Sequence, residues 1–238
     1  NHYFVDAVVE ELNSIYGPEL VNSGGLRIFT TLDSKLQKNA EEAALHHLKF
    51  LDKKLVQMDK KLQTAVVTID NPPVNALSHA VRSGVSDAIQ ELCKDTSVKA
   101  IILICVGRTF CAGADISEFG KPPLSPSLSN LMAKMDQINK PLIAAIHGTA
   151  LGGGFELALG CHYRIMIEGA KVGLPEVNLG LIPGAGGTQR LPRLIGVAAA
   201  LEMITSGKPI SARKAFEVGV VDRICDNNLL VSATKFAK

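Results

Sequence analysis

The sequence predicts an α/β fold with mostly parallel strands, preceded by a mostly helical N-terminal extension. Three observations predict it. From residue 64 onward, short apolar runs alternate with amphipathic segments of helical period. Two of those runs, AIILICV (100–106) and PLIAAIHG (141–148), are nearly continuous in apolar residues, as strands buried on both faces read. Gly/Pro-rich turns such as NPPVNA and GKPPLSPS separate the periods.

The elements follow in order. Up to about residue 60 the chain is Lys/Glu-rich, and Asp33 can cap a long helix. Leu36, Ala40, Ala43, Leu48, Leu51, Leu55, Met58 and Leu62 then form one apolar stripe, which needs the main domain or another subunit as partner. TAVVTID (64–70) is a strand, and the two prolines of NPPVNA end it. In 78–93, Val81, Val85, Ala88, Ile89 and Leu92 share a helical face. AIILICV is the next strand, SLSNLMAKMDQI a helix, and PLIAAIHG a strand. GGFELALG starts a helix and HYRIMIE (162–168) is a strand. GVAAALEMITSG (196–207) and SARKAFEVG (211–219) are helices closed by glycine, and NLLVSATKFAK is helical.

Bulk properties narrow the function. The chain has 238 residues, 47% hydrophobic and 20% charged, with a net charge of +2, which does not point to nucleic acid or an anionic membrane as partner. Residues 141–160 carry a single charge, but Pro141, His147 and five glycines make them a strand and a helix rather than a membrane span. The opening NHYFVDAVVEELN is not a signal peptide, and five cysteines without a CxxC fit a reducing, cytoplasmic setting. No metal-ligand spacing occurs, so no metal is expected.

Three Gly-rich pieces carry the candidate chemistry: TFCAGADI (109–116), ALGGGFELALG (150–160) and GLPEVNLGLIPGAGGTQRLP (173–192). The first two follow buried strands. Each reads either as a tight turn where strand and helix pack closely, or as a turn aiming free N–H groups at an anionic oxygen. Two donors from two such turns make an oxyanion hole. No P-loop is present, and GAGG at 184–187 follows Ile-Pro rather than a strand. Glu156 sits one turn into an apolar helix, and Glu176 lies between Pro175 and Val177. Either alone reads as an ion-paired structural carboxylate. If both face one pocket, burial and mutual repulsion raise at least one pKa and supply a proton donor and an acceptor. Ser211 to Lys214 match SxxK, but Ser211 reads as a helix cap.

In this order, NPPVNALS (71–78), TFCAGADI, PLIAAIHG, ALGGGFELALGCHYRI and GLPEVNLGLIPGAGGTQRLPRLIG resemble the crotonase (enoyl-CoA hydratase/isomerase) superfamily over residues 58–238. The wording is closest to the hydratase part of multifunctional fatty-acid oxidation enzymes. The resemblance implies a spiral of ββα units, usually trimeric, acting on acyl-CoA with no cofactor beyond that substrate. It implies hydration of the 2,3 double bond of enoyl-CoA thioesters in β-oxidation, with 3,2-enoyl-CoA isomerisation as a second activity. Glu156 and Glu176 would be the catalytic carboxylates, and the N–H groups of Ala112 and Gly153 the oxyanion hole. Ala112, Gly113, Ala114, Asp115 and Gly153 would bind substrate, and NPPVNALS would lie near the CoA nucleotide.

Residues 1–57, with SGGLRIFTTLDSKLQKNAEEA, resemble instead the linker of class A penicillin-binding proteins, without either catalytic part. They are expected to be a fused, non-catalytic extension, with a junction near Met58. The C-terminus is expected to stop short of the family's closing helices. The alternative to a hydratase is a non-catalytic fragment that binds CoA or self-associates through residues 34–62.

Overall fold

The computed structural model describes residues 64–237 apart from 123 and 227, together with residue 13 and the short strand 28–29. The helix expected from Asp33 onward lies outside the described residues.

A six-stranded, all-parallel sheet forms the frame. Its strands are β1 (Ile28–Phe29), β2 (Thr64–Ile69), β3 (Ala100–Cys105), β4 (Leu142–Ile146), β6 (Tyr163–Ile167) and β9 (Arg223–Cys225), adjacent in that order. Every residue of β2, β3 and β4 is buried, so the continuous apolar runs are what the architecture requires. Side-chain alternation divides the core in two. Ala65, Val67, Ile69, Ile101, Leu103, Leu142, Ala144 and Ile146 face one side, with α1 (His79–Lys94), α2 (Leu128–Met135) and α3 (Gly153–Leu159). Val66, Ile102, Ile104, Ile143, Ala145 and Ile165 face the other, closed by Leu229, Leu230 and Ala233 of α7 (Leu229–Phe236).

The helices begin where their caps allow. The Ser78 hydroxyl accepts from Val81 N, and Ser127 with Asn130 forms a reciprocal capping box at α2. Ser211 caps α6 (Ala212–Glu217) by accepting from Lys214 N at 3.3 Å, so the SxxK pattern is a helix start. Gly207 closes α5 (Val197–Ser206) with φ of +62°.

Two features were not expected. A second sheet of β5 (Thr149–Leu151), β7 (Lys171–Gly173) and β8 (Ile210–Ser211) leaves the main frame, with β5 parallel to β7 and β8 antiparallel to it. Residues 187–195 form α4 (Gly187–Ile195) with Pro192 inside it.

Candidate active site

The short strand β5 brings the three Gly-rich pieces together. On one side it bridges the 109–114 turn: Cys111 N donates to Thr149 O (3.1 Å) and Leu151 N to Cys111 O (2.9 Å). On the other it pairs with β7, Leu151 opposite Gly173, and Gly152 N donates to Gly173 O at 2.9 Å. One three-residue strand therefore sets the turn at 111–114, the start of α3 and the approach to Glu176 in a common register.

Gly152 makes the strand-to-helix change at φ +52°, ψ −127°, a conformation that favours glycine. A Cβ there would also stand 3.1 Å from Glu176 Oε1. Gly153 opens α3, where an N–H has no carbonyl one turn earlier in the helix. A Cβ on Gly153 would lie 3.2 Å from Ala114 N and 2.9 Å from Leu128 Cδ2, so the two backbones meet closely. Gly154 packs onto Cys111: a Cβ would sit 2.7 Å from that residue's Cβ and Sγ and closer still to its carbonyl oxygen. Burial pushes the Cys111 thiol up to about 12, leaving it a neutral wall rather than a nucleophile.

The expected first donor is already engaged. Ala112 N donates to Val74 O at 3.0 Å, so this amide is not available to a thioester oxygen. Two residues on, Ala114 N makes no hydrogen bond among the described residues and faces Gly153. The bridge between Leu77 and Ala114, with Leu77 N donating to Gly113 O at 2.9 Å, sets that orientation. The Asp115 carboxylate turns back to accept from Ser117 N at 2.9 Å, capping the 3₁₀ turn Ile116–Glu118.

Glu156 is 3% exposed. Its Oε1 accepts from Ala185 N (2.7 Å), in the turn before α4, and from Gly187 N (2.8 Å), the first residue of that helix. Burial raises its pKa, while those two N–H groups and the Arg190 guanidinium pull against burial without cancelling it. Glu176 stands in a 3₁₀ helix, Pro175–Leu179, that starts on Pro175 and ends on left-handed Gly180. Its Oε2 is buried without a partner. Burial is the main cause of its raised pKa, its own backbone N–H opposes the shift, and the Glu156 charge adds to it. The structure thus brings Glu156, Glu176 and Gly153 together with Ala114.

Sequence reasoning missed the residues that hold Glu156. Ala185 and Gly187 act through backbone N–H groups, which leave no side-chain signature. Arg190 secures their turn: its Nη1 donates to Ala185 O (3.4 Å), and its Nη2 donates to both carboxylate oxygens of Asp136 (2.8 and 2.6 Å).

Known proteins share this arrangement of segments. The family model described as enoyl-CoA hydratase/isomerase matches residues 59–237. A peroxisomal bifunctional enzyme of Danio rerio is 50% identical over 177 residues, covering 74% of this chain and 25% of that protein. A probable enoyl-CoA hydratase of Bacillus subtilis is 51% identical over 164 residues, covering 66% of this chain and 64% of that one. The chain thus spans about a quarter of the length of the bifunctional relative. Among solved structures, an enoyl-CoA hydratase subunit of Geobacillus kaustophilus superposes with a TM-score of 0.68 at 39% identity, covering 73% of this chain and 70% of that one. An enoyl-CoA hydratase of Bacillus anthracis gives 0.66 at 39% identity, covering 72% and 71%. With its crotonase-type spiral and this match across most of its length, the chain belongs to the enoyl-CoA hydratase/isomerase family.

Proposed function

We propose that this chain adds water across the 2,3 double bond of enoyl-CoA thioesters, as one step of fatty-acid β-oxidation. The observation that carries the reading is the convergence of two carboxylates of raised proton affinity on one pair of close backbone amides. Water adding at C3 drives negative charge onto the thioester oxygen. The Ala114 and Gly153 N–H groups, on backbones that approach closely, are the two donors assigned to that oxygen, and one such donor contributes about 3–4 kcal/mol to the transition state. This pair replaces Ala112 and Gly153 as the oxyanion hole. Amide polarisation does here what a Lewis acid does elsewhere, so the reaction calls for no cofactor.

The two carboxylates take different roles. Glu156 is held through Oε1 by two N–H groups, which leaves Oε2 to orient and deprotonate the water. Glu176, with an unpartnered buried oxygen, delivers the proton to C2. The same Glu176 can take a proton from C2 and return it at C4, which is 3,2-enoyl isomerisation. Gly113, Asp115 and Ala112 shape the wall along the bound thioester.

The exposed apolar side chains of Leu179 (69%), Ile182 (77%) and Val197 (72%) support assembly with further copies, for which the family resemblance implies a trimer. Residues 1–57, which resemble a penicillin-binding protein linker, are read as a non-catalytic extension. Among the described residues no helix is long and apolar enough to cross a membrane. The five unpaired cysteines fit a reducing setting, and a cytoplasmic location is the reading adopted. The bifunctional relatives are named as peroxisomal.

The test is purified protein with crotonyl-CoA, following loss of the enoyl thioester absorbance. Hydration that drops steeply in Glu176→Gln supports the reading. A folded sample that binds CoA and turns nothing over, or hydration unchanged in Glu176→Gln, overturns it.

A further inference from the structure

Glu156 is held by a run of three peptide planes, and α2 holds those planes in turn. The first carries Gly184 O and Ala185 N, the second Ala185 O and Gly186 N, the third Gly186 O and Gly187 N. The first and third donate to Glu156 Oε1. Ser129 Oγ donates to Gly184 O (3.3 Å), at the far end of the first plane. A peptide is planar, so fixing that oxygen fixes the direction of the Ala185 N–H. Arg190 Nη1 donates to Ala185 O (3.4 Å) and so fixes the second plane. Arg190 N donates to Gly186 O (2.8 Å), on the third.

The guanidinium reaches Ala185 O because Gly186, at φ +105°, has no side chain: a Cβ there would collide with Arg190 Nη1. Its Nη2 is held by both carboxylate oxygens of Asp136. Asp136 ends α2, and Ser129 stands in its first turn, about two turns earlier, so one face of the helix grips the Glu156-holding turn at two points. Arg190 and Asp136 are 23% and 56% exposed, and an ion pair so open to water adds little to stability. Its two contacts on one carboxylate give direction instead. The charged groups that face Glu156 are Arg190 from α4 and Glu176 from the 3₁₀ helix.

We propose that Ser129, Asp136 and Arg190 are positioning residues for water activation: through the amides on Glu156 Oε1 they aim its other oxygen at the water, and they leave proton transfer at C2 to Glu176 alone. The inference rests on the hydratase reading above. Two reactions separate the roles. Hydration needs Glu156, Glu176 and the amide pair. Exchange of a C2 proton of a saturated thioester needs only Glu176 and the amide pair. The C2–H bond breaks, the proton passes to the Glu176 carboxylate, and the electron pair moves onto the thioester oxygen. In heavy water the carboxyl exchanges that proton and returns a deuteron to C2. No water attacks carbon, so a misaimed Glu156 is silent in exchange.

The experiment compares the full chain with Ser129→Ala, Asp136→Ala, the two combined, and Ser129→Thr, with thermal melts to check the fold. Hydration of crotonyl-CoA is followed by absorbance, and exchange of butyryl-CoA in heavy water by proton NMR. Asp136→Ala is expected to lower hydration kcat about tenfold relative to exchange, with KM within about twofold, as a displacement smaller than the roughly 1 Å that costs about 100-fold. The double variant should fall further, and Ser129→Thr, which keeps the hydroxyl, should recover most of the Ser129→Ala loss. Equal falls in hydration and exchange overturn the proposal and assign the effect to Leu128, the α2 residue packed beside Gly153. Hydration at the wild-type rate in the double variant overturns it too. The Glu156 carboxyl, labelled with carbon-13 and assigned by its loss in Glu156→Gln, gives a readout without turnover. Freed of Asp136, the guanidinium moves into solvent and the amides slacken, so Glu156 should keep its proton to higher pH in Asp136→Ala. An unmoved titration overturns the coupling. A Glu156 titration that responds in this way, in a chain whose wild type does not hydrate crotonyl-CoA, overturns the hydratase reading and leaves the coupling standing.

Discussion

Gly154→Ala is the sharpest test of how the site is built, because two effects of opposite sign compete at one methyl group. Gly154 is the second residue of α3, and alanine is favoured over glycine there by at most the helix-interior figure of about 1 kcal/mol. Against that, the methyl would stand 2.7 Å from the Cβ and Sγ of Cys111 and press on its carbonyl oxygen. Ordinary contact with that carbonyl oxygen requires that the two backbones separate by about 1 Å. The carbonyl cannot swing away cheaply, since it already accepts from Leu151 N at 2.9 Å, and Cys111 N is tied to Thr149 O. Overpacking of this kind costs about 1–3 kcal/mol, and a strained hydrogen bond adds to it, so the clash outweighs the propensity gain. The melting temperature should fall by roughly 2–8 °C. The same separation moves Ala114 away from Gly153, and a misplacement near 1 Å costs about 100-fold in rate. We expect kcat with crotonyl-CoA to fall roughly 10- to 100-fold. Gly169→Ala, where a Cβ meets nothing within 4 Å, is the control and should leave both quantities at wild-type values. A Gly154→Ala protein with a raised melting temperature and unchanged kcat would refute the close approach of α3 and the 111–114 turn.

Three further predictions follow from the site. Burial raises the Glu156 pKa, so the native state holds its proton more tightly than the unfolded chain; the associated stability is complete below the unfolded value of about 4.3 and is lost as pH rises through the folded value. Urea titrations should show Glu156→Gln gaining stability relative to wild type between pH 4 and pH 8, while kcat drops by about 100-fold or more; a difference independent of pH would contradict the raised pKa. Replacing the Ala114 amide by an ester should cut kcat about 100-fold, whereas the same change at Ala112 should cost about 1 kcal/mol in stability through its bond to Val74 and far less in rate. Ser211→Ala should destabilise the fold by about 1 kcal/mol in thermal melts without changing hydration, as loss of a helix cap does.

Much of this was legible because burial writes itself into side chains. The all-buried strands β3 and β4 and the striped face of α1 appear as runs and periods long enough to read. The short strand β5 did not, since TAL is too brief for any period, and α4 was hidden by Pro192 and by the glycines before it. The two carboxylates stood out because a Glu among apolar neighbours is conspicuous. Their holders did not, because Ala185 and Gly187 contribute only amides. In a regular extended segment Ala112 and Ala114, two residues apart, would present their N–H groups to the same side; Gly113, at φ +121°, breaks that repeat, so Ala112 N meets Val74 while Ala114 N turns away from Leu77.

The strand β5 has a further consequence. Because the turn bearing Ala114, the helix bearing Gly153 and Glu156, and the strand leading to Glu176 are all referenced to the same three residues, a displacement of β5 carries every reacting group with it. Errors in the placement of the wider scaffold are then common to all of them and cancel in their differences. Such a centre tolerates a shifting surround far better than one assembled from three independently anchored loops, and it concentrates its vulnerability in Thr149, Ala150 and Leu151.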